Sequence, residues 1–154
     1  MRLEYIDPFV ESAIEILNQT VTKDIDRQEL TLTTKSTSMF NVVILVGLAG
    51  KSVNGRFIMD MEVETALKIA SIMNSEEITV FDELTSSTLM ELANMIVGNA
   101  VTRLHKKGFK VDLTPPALLT GKNIIISDNK LESLIVPLVI PQGKIQVNVA
   151  IKET

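Results

Sequence analysis

The 154-residue chain has no cysteine and no tryptophan, and it has a single histidine and a single tyrosine. Without cysteine it can form neither a disulfide framework nor a thiolate nucleophile. One histidine, His105, excludes a multi-histidine metal site and leaves no choice of base for a Ser-His-Asp triad. Its place in the last turn of a predicted helix gives it a structural role, since partial positive charge is favoured at that end of the dipole. An excess of positive charge is also missing: 15 Lys and Arg face 19 Asp and Glu, a net charge of −4. Composition therefore gives no electrostatic reason to expect a nucleic-acid partner. Long apolar runs are missing too. "VVILVGLAG" and "LIVPLVI" fall far short of the roughly 20 residues that span a bilayer, so they read as core strands. The opening stretch, "MRLEYIDPFVES", has acids and no apolar run, so no secretory signal is expected. A cytoplasmic protein without membrane contacts is the expectation.

What is present is a large aliphatic fraction, with 45% of residues apolar and only five phenylalanines. The length suits one compact domain, 1–154, with no linker or low-complexity segment. Residues 7–20 read as an amphipathic helix with Asp7 as N-cap and Pro8 in the first helical position. The stretch 29–37, "ELTLTTKST", alternates as a strand. "FNVVILVGLAG" follows as a buried strand, "GKSVNG" as a turn and "RFIMD" as the returning strand. A second helix covers Met61 to Asn74, and a third runs from near Asp82 to Lys107, stopped by Gly108. Strand periodicity then resumes in "KVDLTPPALLTG", "KNIIIS", "LESLIVPLVIP" and "KIQVNVAIKE". Pro115 and Pro116 cannot donate to a ladder, so they belong at an edge, a bulge or a strand start. "PQGK" reads as a tight turn. The order of elements repeats weakly, as two α-β-β-β halves within one domain.

Three local patterns have simpler explanations than function. "GLAGKS" resembles the end of a phosphate-binding loop, but only Leu48 and Ala49 separate Gly47 from Gly50. No helix follows whose amides could wrap a phosphate, so the stretch reads as a hairpin. The acids of "DMEVE" (60–64) suit a helix N-terminus better than a Mg²⁺ site. The methionines follow the apolar spacing and read as core filling.

The third helix holds the feature that needs a reason. Leu89, Leu92, Ala93, Ile96, Val97, Ala100 and Leu104 share a broad apolar arc on a helical wheel. Ser87, Glu91, Asn94, Gly98 and Thr102 form a narrow stripe on the other side. A solvated face normally carries good helix formers, whereas this one offers Ser, Asn, Gly and Thr, with Gly costing about 1 kcal/mol relative to Ala. Small residues in such a stripe would let another surface come close.

The pattern Ser87-x-x-x-Glu91-x-x-Asn94, continuing Met95-x-x-Gly98, resembles the signature of the CheC, CheX and FliY family of chemotaxis phosphatases. "GLAGKSVNGRFIMDMEVETALKIAS" is similar to that family's strand–turn–strand–helix segment. "KGFKVDLTPPALLTGKN" is similar to the segment after the active helix in the CheX branch, which the chain resembles most. The resemblance implies an α/β (α+β) CheC-like fold, with two pseudo-symmetric α-β-β-β halves sharing one sheet and helices packed against it. It also implies a homodimer and removal of phosphate from the phosphorylated aspartate of a CheY-type response regulator. In that reading Glu91 and Asn94 are catalytic: Asn94 positions the attacking water and Glu91 pairs with the regulator's lysine. Ser87 at the rim and Gly98 contact the partner. The protein brings no cofactor of its own, because Mg²⁺ is bound by the regulator. Glu11-x-x-x-Glu15-x-x-Asn18 in the first helix is close to the same pattern, in what reads as the matching place of the first half. It lacks the Gly four residues after Asn18, so one working site is expected. The alternative is a docking module of the same fold that binds a regulator or flagellar switch component without hydrolysis.

Overall fold

The computed structural model describes residues 3–34, 40–51, 53–126 and 131–153. In chain order the elements are α1 (Leu3–Thr20), β1 (Asp26–Arg27), β2 (Thr31–Thr33), β3 (Val42–Ala49), β4 (Val53–Met61), α2 (Val63–Asn74), α3 (Glu83–Lys106), β5 (Asp112–Leu113), β6 (Ala117–Thr120), β7 (Ser133–Ile140) and β8 (Gly143–Glu153). All the strands join one antiparallel sheet in the order β1-β7-β8-β4-β3-β5, with β2 also on β7 and β6 also on β3. Helices and antiparallel strands together make this an α+β fold.

Alternation along the strands sorts residues between the two faces of the sheet. Val42, Ile44, Val46 and Leu48 of β3, Phe57, Met59 and Met61 of β4, and Ile145, Val147 and Val149 of β8 join the helices in one apolar core. The intervening residues, among them Arg56 and Asp60, lie on the opposite face. There Arg56 donates to Asn148 Oδ1 at 3.0 Å and to Ser133 Oγ at 3.1 Å. Phe9 and Phe57 stack with centroids 6.2 Å apart, joining α1 to the sheet.

The two halves interleave. β4 pairs with β8 along the middle of the sheet, β3 and β7 flank them, and the short first strands of each half cross to the other. Thus β1 and β2 pair with β7, whereas β5 and β6 pair with β3. The interval between the ends of α1 (Thr20) and α3 (Lys106) is 86 residues. The same interval separates the starts of β1 (Asp26) and β5 (Asp112), and of β2 (Thr31) and β6 (Ala117). The repeat read from the sequence is therefore a repeat of structure, with α2 as an addition between the halves, but each half carries four strands where three were expected, because its opening strand is broken into two short pieces.

Several boundaries differ from expectation. α1 starts at Leu3 and contains Pro8 in its interior, although proline forfeits one intrahelical hydrogen bond there. Burial outweighs that loss, because the extra turn places Tyr5 and Ile6 in the core. Tyr5 also sits edge-on to Phe109 at 4.7 Å and donates to Glu153 Oε1 at 2.7 Å. The strand expected over 29–37 shrinks to Thr31–Thr33, with 35–39 outside the described residues. "KNIIIS" gives only an isolated bridge at Ile125, because Gly121 (φ +148°) and Asn123 (φ +54°) leave the extended conformation. Its last residue falls outside the described residues. β4 begins at Val53, inside the expected turn, so the β3–β4 connection is a hairpin closed at Ala49 and Asn54. Asp60 is no helix cap: it lies in β4, 2% exposed, and accepts from the Phe40 N–H at 3.1 Å. Pro115 and Pro116 fall between the edge strands β5 and β6, and Pro141 and Gln142 turn β7 into β8.

Candidate functional site

α3 starts where the side chain of Asp82 accepts from the Thr85 N–H at 3.1 Å, and its last turn carries Arg103, His105 and Lys106. Gly108 follows at φ +92°, which closes the helix with Phe109 N–H on the Leu104 carbonyl at 3.0 Å. His105 is exposed, and its Nε2 lies 3.1 Å from the Val111 carbonyl and 3.3 Å from the Val111 nitrogen, tying the helix end to the β5 segment. All seven apolar residues of the predicted arc are buried, each 1% exposed or less.

The helix is held on both flanks. Asn74 at the end of α2 donates from Nδ2 to Thr88 Oγ1 at 2.9 Å. On the α1 side, Ser12 is fully buried and donates to Asn99 Oδ1 at 2.8 Å. Asn99 Oδ1 also accepts from Arg103 Nε at 3.0 Å. The Arg103 guanidinium then reaches across to Glu11, at 2.8 Å, and to Glu15. Sequence reasoning missed Asn99 and Arg103. Their only signal was that polar side chains sat toward the flank of an otherwise apolar arc.

Between these anchors the stripe faces outward. Ser87, Glu91 and Thr102 are exposed, and Asn94 and Gly98 are half-buried. Thr102 turns back to the Gly98 carbonyl at 3.0 Å. Among the described residues, neither the Glu91 carboxylate nor the Asn94 amide has a hydrogen-bond partner. A Cβ built on Gly98 would meet nothing within 4 Å, so nothing inside the molecule requires glycine there. The arrangement is a rigid helix offering an acceptor-only carboxylate, an uncommitted amide one turn later and a gap beyond it.

The pattern in α1 is different. Glu11 and Glu15 are engaged by Arg103, and Asn18 is exposed near the helix end. Nor do they occupy the matching place, as their spacing implied. The 86-residue interval sets Tyr5 opposite Glu91 and Pro8 opposite Asn94, and both are buried. The first half carries an apolar counterpart of the stripe. Among the described residues, no group of three or more His, Cys, Asp or Glu is placed to hold a metal ion. No helix of the described residues is long and apolar enough to cross a membrane.

The sequence model of the family described as "Chemotaxis phosphatase CheX" matches residues 42–139, which include β3, β4 and all of α3. The chain belongs to the CheX family. A CheX relative from Thermotoga maritima, described as a CheY-P phosphatase, is 36% identical over 87 residues. That match takes in 56% of this chain and spans 56% of the relative's own length. A solved CheX–CheY–BeF₃–Mg²⁺ complex from Borrelia burgdorferi contains a chain 43% identical to this one, with 99% of this chain and all of that one covered at a TM-score of 0.85. A CheC-like superfamily protein from Shewanella sp. PV-4 shares the fold at a TM-score of 0.88 and 24% identity, over 99% of each chain.

Proposed function

We propose that this CheX-family protein is a single phosphatase domain that hydrolyses the aspartyl phosphate of a CheY-type response regulator, with Glu91 and Asn94 as its catalytic pair. One observation carries the reading. Midway along a helix anchored on both flanks, a carboxylate and an amide one turn apart face outward with no hydrogen-bond partner among the described residues, beside a glycine that nothing inside the fold demands. The Thermotoga maritima relative's description and the Borrelia burgdorferi complex support the substrate class.

The chemistry needs little from the phosphatase. The oxygen of a water attacks phosphorus in line, the bond from phosphorus to the aspartyl oxygen breaks, and inorganic phosphate and a free aspartate result. The regulator's Mg²⁺ and lysine neutralise the phosphoryl oxygens, so what is lacking is a fixed nucleophile. The Asn94 carboxamide oxygen accepts a hydrogen bond from that water and, being neutral, sits beside a group that would repel a carboxylate. Its contribution is orientation. Glu91 pairs with the regulator's lysine and sets the helix in register over the phosphoaspartate, Gly98 admits the regulator's loops and Ser87 lies at the rim. Action on such a regulator places the protein in the cytoplasm, and by family resemblance it works as a homodimer.

Single-turnover dephosphorylation alongside a titration with beryllofluoride-loaded regulator separates the two roles. Asn94→Ala should bind normally and turn over at least ~10²-fold more slowly, the scale on which a well-oriented nucleophile matters. Glu91→Ala should instead weaken the complex, by roughly 2–5 kcal/mol if the pair is buried there. Wild-type turnover in Asn94→Ala would make the protein a docking module.

A further inference from the structure

The N-terminal approach to α3 is unusual in its exposure and in its charge. Residues 69–102 contain five acids, Glu76, Glu77, Asp82, Glu83 and Glu91, and no lysine, arginine or histidine. A chain whose net charge is −4 therefore concentrates its negative charge in the connector before α3 and in that helix up to Thr102, ahead of the basic last turn. Within that acidic border large apolar side chains stand in solvent: Val80 is 66% exposed and Leu84 is 41% exposed. Leu84 is the one exposed large hydrophobic residue of α3. It lies seven residues before Glu91, on the same helix face and about 10 Å along the axis at 1.5 Å per residue.

Nor is the exposure that of a loose loop. Ser75 ends α2 in the left-handed conformation, at φ 52°. Ser71 Oγ accepts from the Ile78 N–H at 2.9 Å, and Thr85 Oγ1 donates to the Val80 carbonyl at 3.3 Å. The connector is fixed at both ends and holds Val80 out beside the first turn of α3. An apolar centre within a polar, solvent-accessible rim is the anatomy of a protein interface.

We propose that Val80 and Leu84, bordered by Glu76, Glu77 and Glu83, form a second contact element for the receiver domain that Glu91 and Asn94 engage. Its counterpart is a basic surface with an apolar centre beside that domain's phosphorylation site. The inference rests on the proposed phosphatase reading. A stable interface buries about 800 Å² per partner across 20–30 residues, more than the narrow stripe on α3 can supply. The knob continues the same helix face, and its charge selects a cationic partner surface. The stripe supplies the chemistry, and the knob supplies affinity and choice of regulator.

The test is a titration with a CheY-type receiver domain loaded with beryllofluoride and Mg²⁺, alongside steady-state hydrolysis. Replacing the exposed side chains in Leu84→Gln with Val80→Ser should raise Kd and KM about tenfold. The turnover at saturating regulator should stay within twofold of wild type. Glu76→Lys with Glu77→Lys should slow association at low salt, an effect that fades as salt screens it. Kd and association rate both within twofold of wild type in these variants would overturn the proposal. So would a change confined to the protein's own oligomeric state. If Asn94→Ala abolishes turnover while the knob variants bind normally, the phosphatase reading stands and this inference fails. If wild-type protein hydrolyses nothing, the phosphatase reading fails, and the binding arm still decides whether the knob docks a receiver.

Discussion

Gly98 gives up helix stability for no reason internal to the fold. Glycine in a helix interior costs roughly 0.5–1 kcal/mol relative to alanine, and an added Cβ here would enter open space. Gly98→Ala should therefore stabilise the protein by about that amount, raising the urea midpoint with an unchanged slope. It should also weaken binding of the activated regulator, because the methyl group occupies the approach path. Equal affinity in a stabilised Gly98→Ala would remove this residue from the contact face. Gly143 makes the contrast. Its φ of +139° and the collision an added Cβ would have with Thr65 are demands of the fold itself. Composition reveals neither reason. What was legible was that Ser87, Asn94, Gly98 and Thr102 are poor choices for an exposed helix face. Asn99 and Arg103 were illegible for the opposite reason: their meaning depends on α1, a partner distant in sequence.

At the scale of elements, α1 and α3 occupy equivalent places and carry different faces. α3 keeps an outward stripe, whereas α1 puts Tyr5 and Pro8 at the matching positions and spends Glu11 and Glu15 on Arg103. Asn18→Ala should accordingly leave turnover within twofold of wild type in a phosphate-release assay, where Asn94→Ala is expected to lose activity heavily. A comparable loss in both would mean a second working site. The helices were legible almost to their ends, because 3.6-residue periodicity and caps such as Asp82 and Gly108 are local signals. The start of α1 was not, since the pull of Tyr5 and Ile6 into the core overrides Pro8. The strand β1, two charged residues long, has no periodicity to read and exists because Asp26 and Arg27 lie against Val139 and Leu138. The α1 motif reads as the counterpart of the stripe because helical spacing records which residues share a face and says nothing about what that face meets.

The whole molecule presents short sheet edges. β1, β2, β5 and β6 have between two and four residues each, which leaves little ladder for another chain to extend. Edge protection is thus met within the chain and gives no separate reason for association, and the proposed homodimer rests on the family resemblance. Light scattering at micromolar concentration should show twice the monomer mass, and a purely monomeric profile would end that proposal. The crossed pairing of the first strands has a further consequence in time. Asp26 finds its partner only at Val139 and Thr31 only at Ile135, so the opening strands cannot be placed until nearly all of the chain is available. Such distant closures are entropically costly and slow. During synthesis on a ribosome the β3–β4 hairpin could close early, whereas β1 and β2 would wait for β7 and the middle of the sheet would wait for β8. Either half made alone would keep its unmatched edge, and would meet its missing partner only in another copy of the chain.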